Sequence, residues 1–87
     1  MSEIDNSIMI LSFANCTIIT QIEEVVGEIG DPNCKLTEPF IINDDDTLTP
    51  WMVKYTDQNT FMIRSDKILT IVKPKQKYID KYKSLLE

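Results

Sequence analysis

The sequence predicts an all-β fold: a small, five-stranded, strongly bent antiparallel barrel finished by a C-terminal α-helix. Three observations predict it. From about residue 8 to 73, short runs rich in Ile, Val, Thr and Phe follow one another, several with alternating apolar positions. Segments carrying Gly, Pro, Asn and Asp punctuate those runs. After Pro74 the apolar period lengthens to three or four, through Tyr78, Tyr82 and Leu85 or Leu86, which is helical. With 87 residues the chain makes one domain, 1–87. A domain of this size buries a limited share of its surface, and association between copies is a common remedy.

Taken in order, SIMILSFANCTIITQIEEV reads as a hairpin, with strand one at about 9–14 and strand two at about 17–26. Its turn falls at Asn15-Cys16, because Asn tolerates left-handed backbone angles. GEIGDPN, 27–33, holds both glycines and reads as a loop. A third strand covers about 34–43, and Pro39 within it requires a bulge or a free edge, since it has no N–H for the ladder. DDDTLTP, 44–50, reads as a solvated loop. Its three acids lack the alternating ligands, the turn glycine and the distal glutamate of a calcium-binding EF-hand. WMVKYTDQNTFMIR returns as one long strand, or as two about residues 56–59, with Trp51, Val53 and Tyr55 on one face and Phe61 and Ile63 also sharing a face. FMIRSDKILTIVKP reads as a hairpin whose tight polar turn, 64–67, carries the sole arginine, with a last strand at 68–72. The helix occupies about 75–86, and Pro74 fits at or just before its first turn.

Composition narrows the function. A content of 43% hydrophobic and 26% charged residues is that of an ordinary soluble globular chain. The apolar run after the acidic MSEIDNS is too short and too polar for a membrane span, and the N-terminus lacks the basic region of a targeting signal. Two cysteines, Cys16 and Cys34, and no histidine leave no zinc-ligand pattern and no nucleophile–base pair, and favour a reducing cytoplasm. Glu23 and Glu24 are neighbours on a strand and point to opposite faces, so they make no acid–base pair. No glycine-rich phosphate loop exists. The expectation is a protein that is not an enzyme and needs no metal, cofactor or small-molecule substrate. The net charge of −5 is uneven: residues 1–62 carry eleven acids against two lysines, and residues 63–87 carry seven bases against three acids.

The stretch Ile63-Arg64-Ser65-Asp66-Lys67-Ile68 resembles the second signature of the Sm/LSm superfamily, which includes Hfq, and FANCTIITQIEEV resembles its first. Phe13, Asn15, Cys16 and Ile19 match that first signature in kind. The chain is also similar to small Sm-like proteins of marine phages, which share a TPW-type segment (Thr49-Pro50-Trp51 here) and an appended C-terminal helix. Ser65 and Cys16 stand where the family has glycine, the bend glycine of strand two is missing near Gln21, and Asp31-Pro32-Asn33 replaces an Asp–apolar–Asn loop. The helix follows the strands, whereas in the family it precedes them.

The resemblance implies a homo-oligomeric ring in which strand four of one copy pairs with strand five of the next. It further implies single-stranded RNA at the pore, with Arg64 stacking on a base, Asn33 reading the base edge, and Asp31, Ser65 and Lys67 beside them, Lys67 against phosphate. Two alternatives stand next to this. One is a structural or protein-interaction ring without nucleic acid, in which Arg64 ties the turn together, through Asp66 for instance, and the loop Asp44-Asp45-Asp46 and the helix are docking surfaces. The other places nucleic acid on the helix lysines Lys73, Lys75, Lys77, Lys81 and Lys83. Tyr78 and Tyr82 read as packing residues.

Overall fold

The computed structural model describes residues 7–26 and 28–86; the N-terminal acids, Gly27 and Glu87 lie outside the described residues. The elements are β1 (Ile8–Ser12), β2 (Thr17–Glu24), β3 (Cys34–Ile42), β4 (Leu48–Pro50), β5 (Thr60–Ile63), a 3-10 turn (Ser65–Lys67), β6 (Thr70–Val72) and helix α1 (Gln76–Leu86). All strand pairs are antiparallel. The sheet runs β4-β3-β2-β1-β6, with β5 also on β3. The all-β class with a C-terminal helix is therefore as the sequence predicts.

β1 and β2 form the expected hairpin, closed by Phe13 N–H to Cys16 O at 2.9 Å. Asn15 keeps a negative φ, however; the non-glycine left-handed residues among those described are Glu38, Asp46 and Met52. The sheet bends at β3. Between the pairs Ile19–Phe40 and Gln21–Thr37, β2 spends one residue, Thr20, and β3 spends two, Glu38 and Pro39. Glu38 sits at φ 53°, which makes room for the extra residue. Pro39 fits here because the bulge asks for no N–H from it. The bend that a glycine in strand two normally eases is thus made in the opposite strand.

The same bulge divides the fourth strand. β5 pairs with the first half of β3, Cys34 to Thr37, and β4 with the second half, Phe40 to Ile42. Residues 51–59 leave the sheet between them. Both ends of this excursion are tied to the bulge, by Trp51 N–H to Pro39 O at 2.9 Å and by Glu38 N–H to Asn59 O at 2.7 Å. Two sequence expectations change. Leu48–Pro50 is strand rather than loop, and Trp51, Val53 and Tyr55 lie in a turn rather than on one strand face. Nor is FMIRSDKILTIVKP a hairpin: β5 pairs with β3, whereas β6 pairs with β1. The 64–67 turn carries the chain from one end of the sheet to the other.

Both faces of the sheet are covered, which is why Ile18, Ile19 and Thr20 are buried in succession. On one face, Ile8, Ile19 and Phe40 pack against Tyr82 of α1, with Ile10, Ile42, Leu48, Tyr78, Ile79 and Leu86 around them. On the other lie Leu11, Ile18 and Leu36 together with an aromatic row: Trp51 stacks on Phe13 at 6.4 Å and meets Phe61 edge-on at 5.2 Å. Phe61 and Ile63 face inward opposite Leu36 and Cys34, as expected from their spacing.

The helix is held by polar as well as apolar contacts. The Tyr82 hydroxyl, fully buried, shares its proton between Glu38 O at 2.8 Å and Thr37 O at 3.1 Å, and accepts from Gln21 Nε2 at 3.4 Å. Thr20 Oγ1 donates to Thr37 O at 3.0 Å. The carbonyls that the bulge turns out of the ladder are thereby satisfied. At the helix's outer side, Asp46 accepts from the Tyr78 hydroxyl at 2.9 Å, its carbonyl accepts from Lys81 Nζ at 2.9 Å, and its carboxylate lies 3.8 Å from Lys77 Nζ. The acidic loop and the lysine helix, each read as a surface for a partner, are docked on one another.

A candidate base-binding pocket between two loops

The loop after β2 and the turn after β5 meet at one end of the sheet. The first is shaped by its own backbone: Gly30 adopts φ 93°, Asp31 N–H bonds Glu28 O at 3.0 Å, and Glu28 N–H bonds Asp31 Oδ2 at 3.3 Å. The second is a 3-10 turn, with Lys67 N–H to Arg64 O and Ile68 N–H to Ser65 O, both at 3.1 Å. Asn33 joins them. Its N–H donates to Ile63 O at 3.1 Å, its side-chain Oδ1 accepts from Ser65 N–H at 2.8 Å, and its Nδ2 donates to Ser65 Oγ at 3.1 Å.

This clip explains Ser65. A glycine there would keep the backbone N–H bond and lose the hydroxyl bond. Ser65 has no positive φ, so nothing in the turn's conformation demands glycine. Asn33 is correspondingly less free to read a base edge than the resemblance implies. One amide N–H and one lone pair remain available.

Between the loops opens a concavity of about 450 Å³. Asp31, Asn33, Arg64 and Ser65 all line it. Lys67 belongs to the same turn but not to the lining. Sequence reasoning missed Val26 and Ile29, both fully exposed apolar side chains on its rim. Val26 reads from the sequence as the last residue of strand two, but β2 stops at Glu24; for Ile29 the available signal was an aliphatic next to a glycine in a loop, where no strand or helix face can bury it. Arg64 Nη2 donates to Asp66 Oδ2 at 3.0 Å, both side chains about half exposed. The lining holds one guanidinium and three carboxylates, those of Glu28, Asp31 and Asp66. It therefore offers a planar cation and apolar walls but a net negative field, a setting suited to the face of a flat ligand and poorly suited to a run of phosphates.

The remaining chemistry is quiet. Burial pushes the Cys16 thiol up, and burial together with Glu24 does the same for Cys34, so neither is an activated nucleophile. Both thiols are free. Among the described residues no group of three or more His, Cys, Asp or Glu side chains is placed to hold a metal, and no helix is long and apolar enough to cross a membrane. A protein family of unknown function, DUF6561, matches residues 6–87. No curated protein matches the chain.

Proposed function

The chain belongs to DUF6561, and from its pocket we propose that it is a ring-forming, Sm-like subunit whose Asn33–Arg64 site takes a base of single-stranded RNA. One observation carries this reading: Asn33, Ser65 and Arg64, from segments 32 positions apart, are hydrogen-bonded or juxtaposed around a concavity rimmed by exposed Val26 and Ile29. A splayed base offers a flat π-face to the guanidinium and the aliphatics, and a polar edge to what Asn33 has left. The negative lining directs the contact to the base rather than the phosphate. The protein then acts by binding, not by catalysis, in a reducing cytoplasm where its two thiols stay free.

The sheet's two edges support ring formation. Among the described residues, the outer edge of β5 and that of β6 are unpaired. Joining β5 of one copy to β6 of the next satisfies both, and repetition head to tail closes a ring. Each ring then brings one Arg64 per copy to a shared opening.

A second reading, a structural or protein-interaction ring without RNA, is favoured by the Arg64–Asp66 pair, in which the arginine already has a partner. Anisotropy titrations of U-rich and A-rich single strands at two salt concentrations separate the two. The RNA reading expects binding with a shallow salt dependence, and a loss of about 1–3 kcal/mol, the worth of one stacked base, in Arg64→Ala. No binding at low salt rejects it and leaves the structural ring.

A further inference from the structure

The excursion at residues 51–59 has no counterpart in the ring reading above, and its surface is unusual. Trp51 points inward to Phe13 and Phe61, while Met52, Val53 and Tyr55 are 39%, 55% and 77% exposed. With Ile41, Thr49, Pro50, Trp51 and Lys54 these three line a groove of about 300 Å³. A turn held by Tyr55 N–H to Met52 O at 2.9 Å, with Met52 left-handed at φ 64°, keeps the apolar side chains outward.

The molecule's other apolar edge lies at the far end of the sheet, where Leu69, Ile71 and Val72 are 66%, 51% and 46% exposed. The two surfaces flank opposite ends of one sheet, so each is free to meet a different copy. Strand direction then decides what meets what. β3 runs from Cys34, opposite Ile63, to Thr37, opposite Thr60, and onward to the bulge from which the excursion springs. A strand added antiparallel to the free edge of β5 runs the same way as β3. Its residues after Val72 therefore arrive at the excursion. Lys73 directly follows β6, Asp57 sits in the excursion just before β5, and neither takes part in an ion pair among the described residues.

We propose that the Trp51–Tyr55 groove seats residues 72–74 of a second copy, with Lys73 of that copy facing Asp57. This rests on the head-to-tail assembly proposed above, and it turns the excursion from an interruption of the fourth strand into the part that grips the neighbour. The occupant is a second copy, because antiparallel addition to the free β5 edge carries the apolar, lysine-ended β6 edge of that copy to this groove, beside the Asp57 carboxylate.

Light scattering across a dilution series tests it on the whole chain. Val53→Asp puts a charge into the seat and should weaken assembly at least about tenfold. Lys73→Glu should weaken it by about fivefold at low salt, and adding Asp57→Lys should restore it. Val53, Asp57 and Lys73 are all exposed, and unchanged circular dichroism spectra would confirm that the variants fold. Wild-type assembly that survives Val53→Asp, or a charge reversal that Asp57→Lys does not repair, overturns the seat while leaving the ring. A wild-type chain that stays monomeric at tens of micromolar overturns both. RNA titration of Arg64→Ala reads neither, so it stands apart.

Discussion

The two ends of this small sheet are finished in opposite ways. Where β3 bends, the helix supplies Tyr82, whose ring is fully buried against Ile8, Ile19 and Phe40 and whose hydroxyl serves the carbonyls of Thr37 and Glu38. Where the loop after β2 meets the 64–67 turn, polar side chains clip two segments together but leave aliphatics and a guanidinium open to solvent. The contrast separates residues that hold the fold from residues available to something else. It also divides the two tyrosines and the arginine that the sequence singled out: the tyrosines serve the closed end and Arg64 the open one.

Changes at the closed end should have the largest effects. Tyr82→Ala removes a buried aromatic and is expected to cost about 3–5 kcal/mol in urea unfolding. A loss under 1 kcal/mol would mean that the helix is not integral to the core. Tyr82→Phe isolates the hydroxyl and should cost about 1–2 kcal/mol, since Glu38 O then lacks the tyrosine donor while Thr37 O keeps Thr20 Oγ1.

Alkali probes the same contact. Burial pushes the Tyr82 phenol from its ordinary 10.0 up to about 12, so the unfolded chain gives up the proton first. The associated stability is complete below pH 10, drains away as pH climbs to about 12, and amounts to at most about 3 kcal/mol. Unfolding midpoints between pH 9 and 12 should fall more steeply in the wild type than in Tyr82→Phe.

At the open end the numbers shrink. Asn33→Ala breaks both bonds to Ser65 and should cost about 1–2 kcal/mol, with a matching rise in amide exchange at Ser65. Ser65→Gly keeps the backbone bond and should cost under about 1 kcal/mol. Arg64→Ala loses only an exposed ion pair, so its stability should stay within about 0.5 kcal/mol of wild type. If Arg64→Ala instead destabilises as much as Asn33→Ala, the arginine belongs to the scaffold, and the difference between the two ends is smaller than drawn here.

Much of this was legible in the residues. The β1–β2 hairpin, the third strand, the bulge or free edge required by Pro39 and the helix after Pro74 all rest on features a few positions apart. Four of the five residues proposed for the site, Asp31, Asn33, Arg64 and Ser65, line a single concavity. The fourth strand misled because Trp51, Val53 and Tyr55 alternate as a strand would, and alternation cannot reveal that the facing strand carries an extra residue. Val26 escaped notice because it reads as the end of strand two, whereas β2 stops at Glu24, and Ile29 because a loop aliphatic is informative only once it is known to be uncovered.

Sequence alone determined the all-β class and the terminal helix, because side-chain periodicity and turn chemistry act within a few residues, whereas the residues around the Asn33–Arg64 pocket were indicated only by the resemblance to the Sm/LSm superfamily. Tertiary structure alone decided that the fourth strand splits, that FMIRSDKILTIVKP crosses the sheet instead of folding back, and that Asn33 clips Ser65 while Tyr82 serves the bulge. Those outcomes depend on which strand edges lie side by side, and hydrogen bonds between residues 32 to 45 positions apart leave no local trace in the chain.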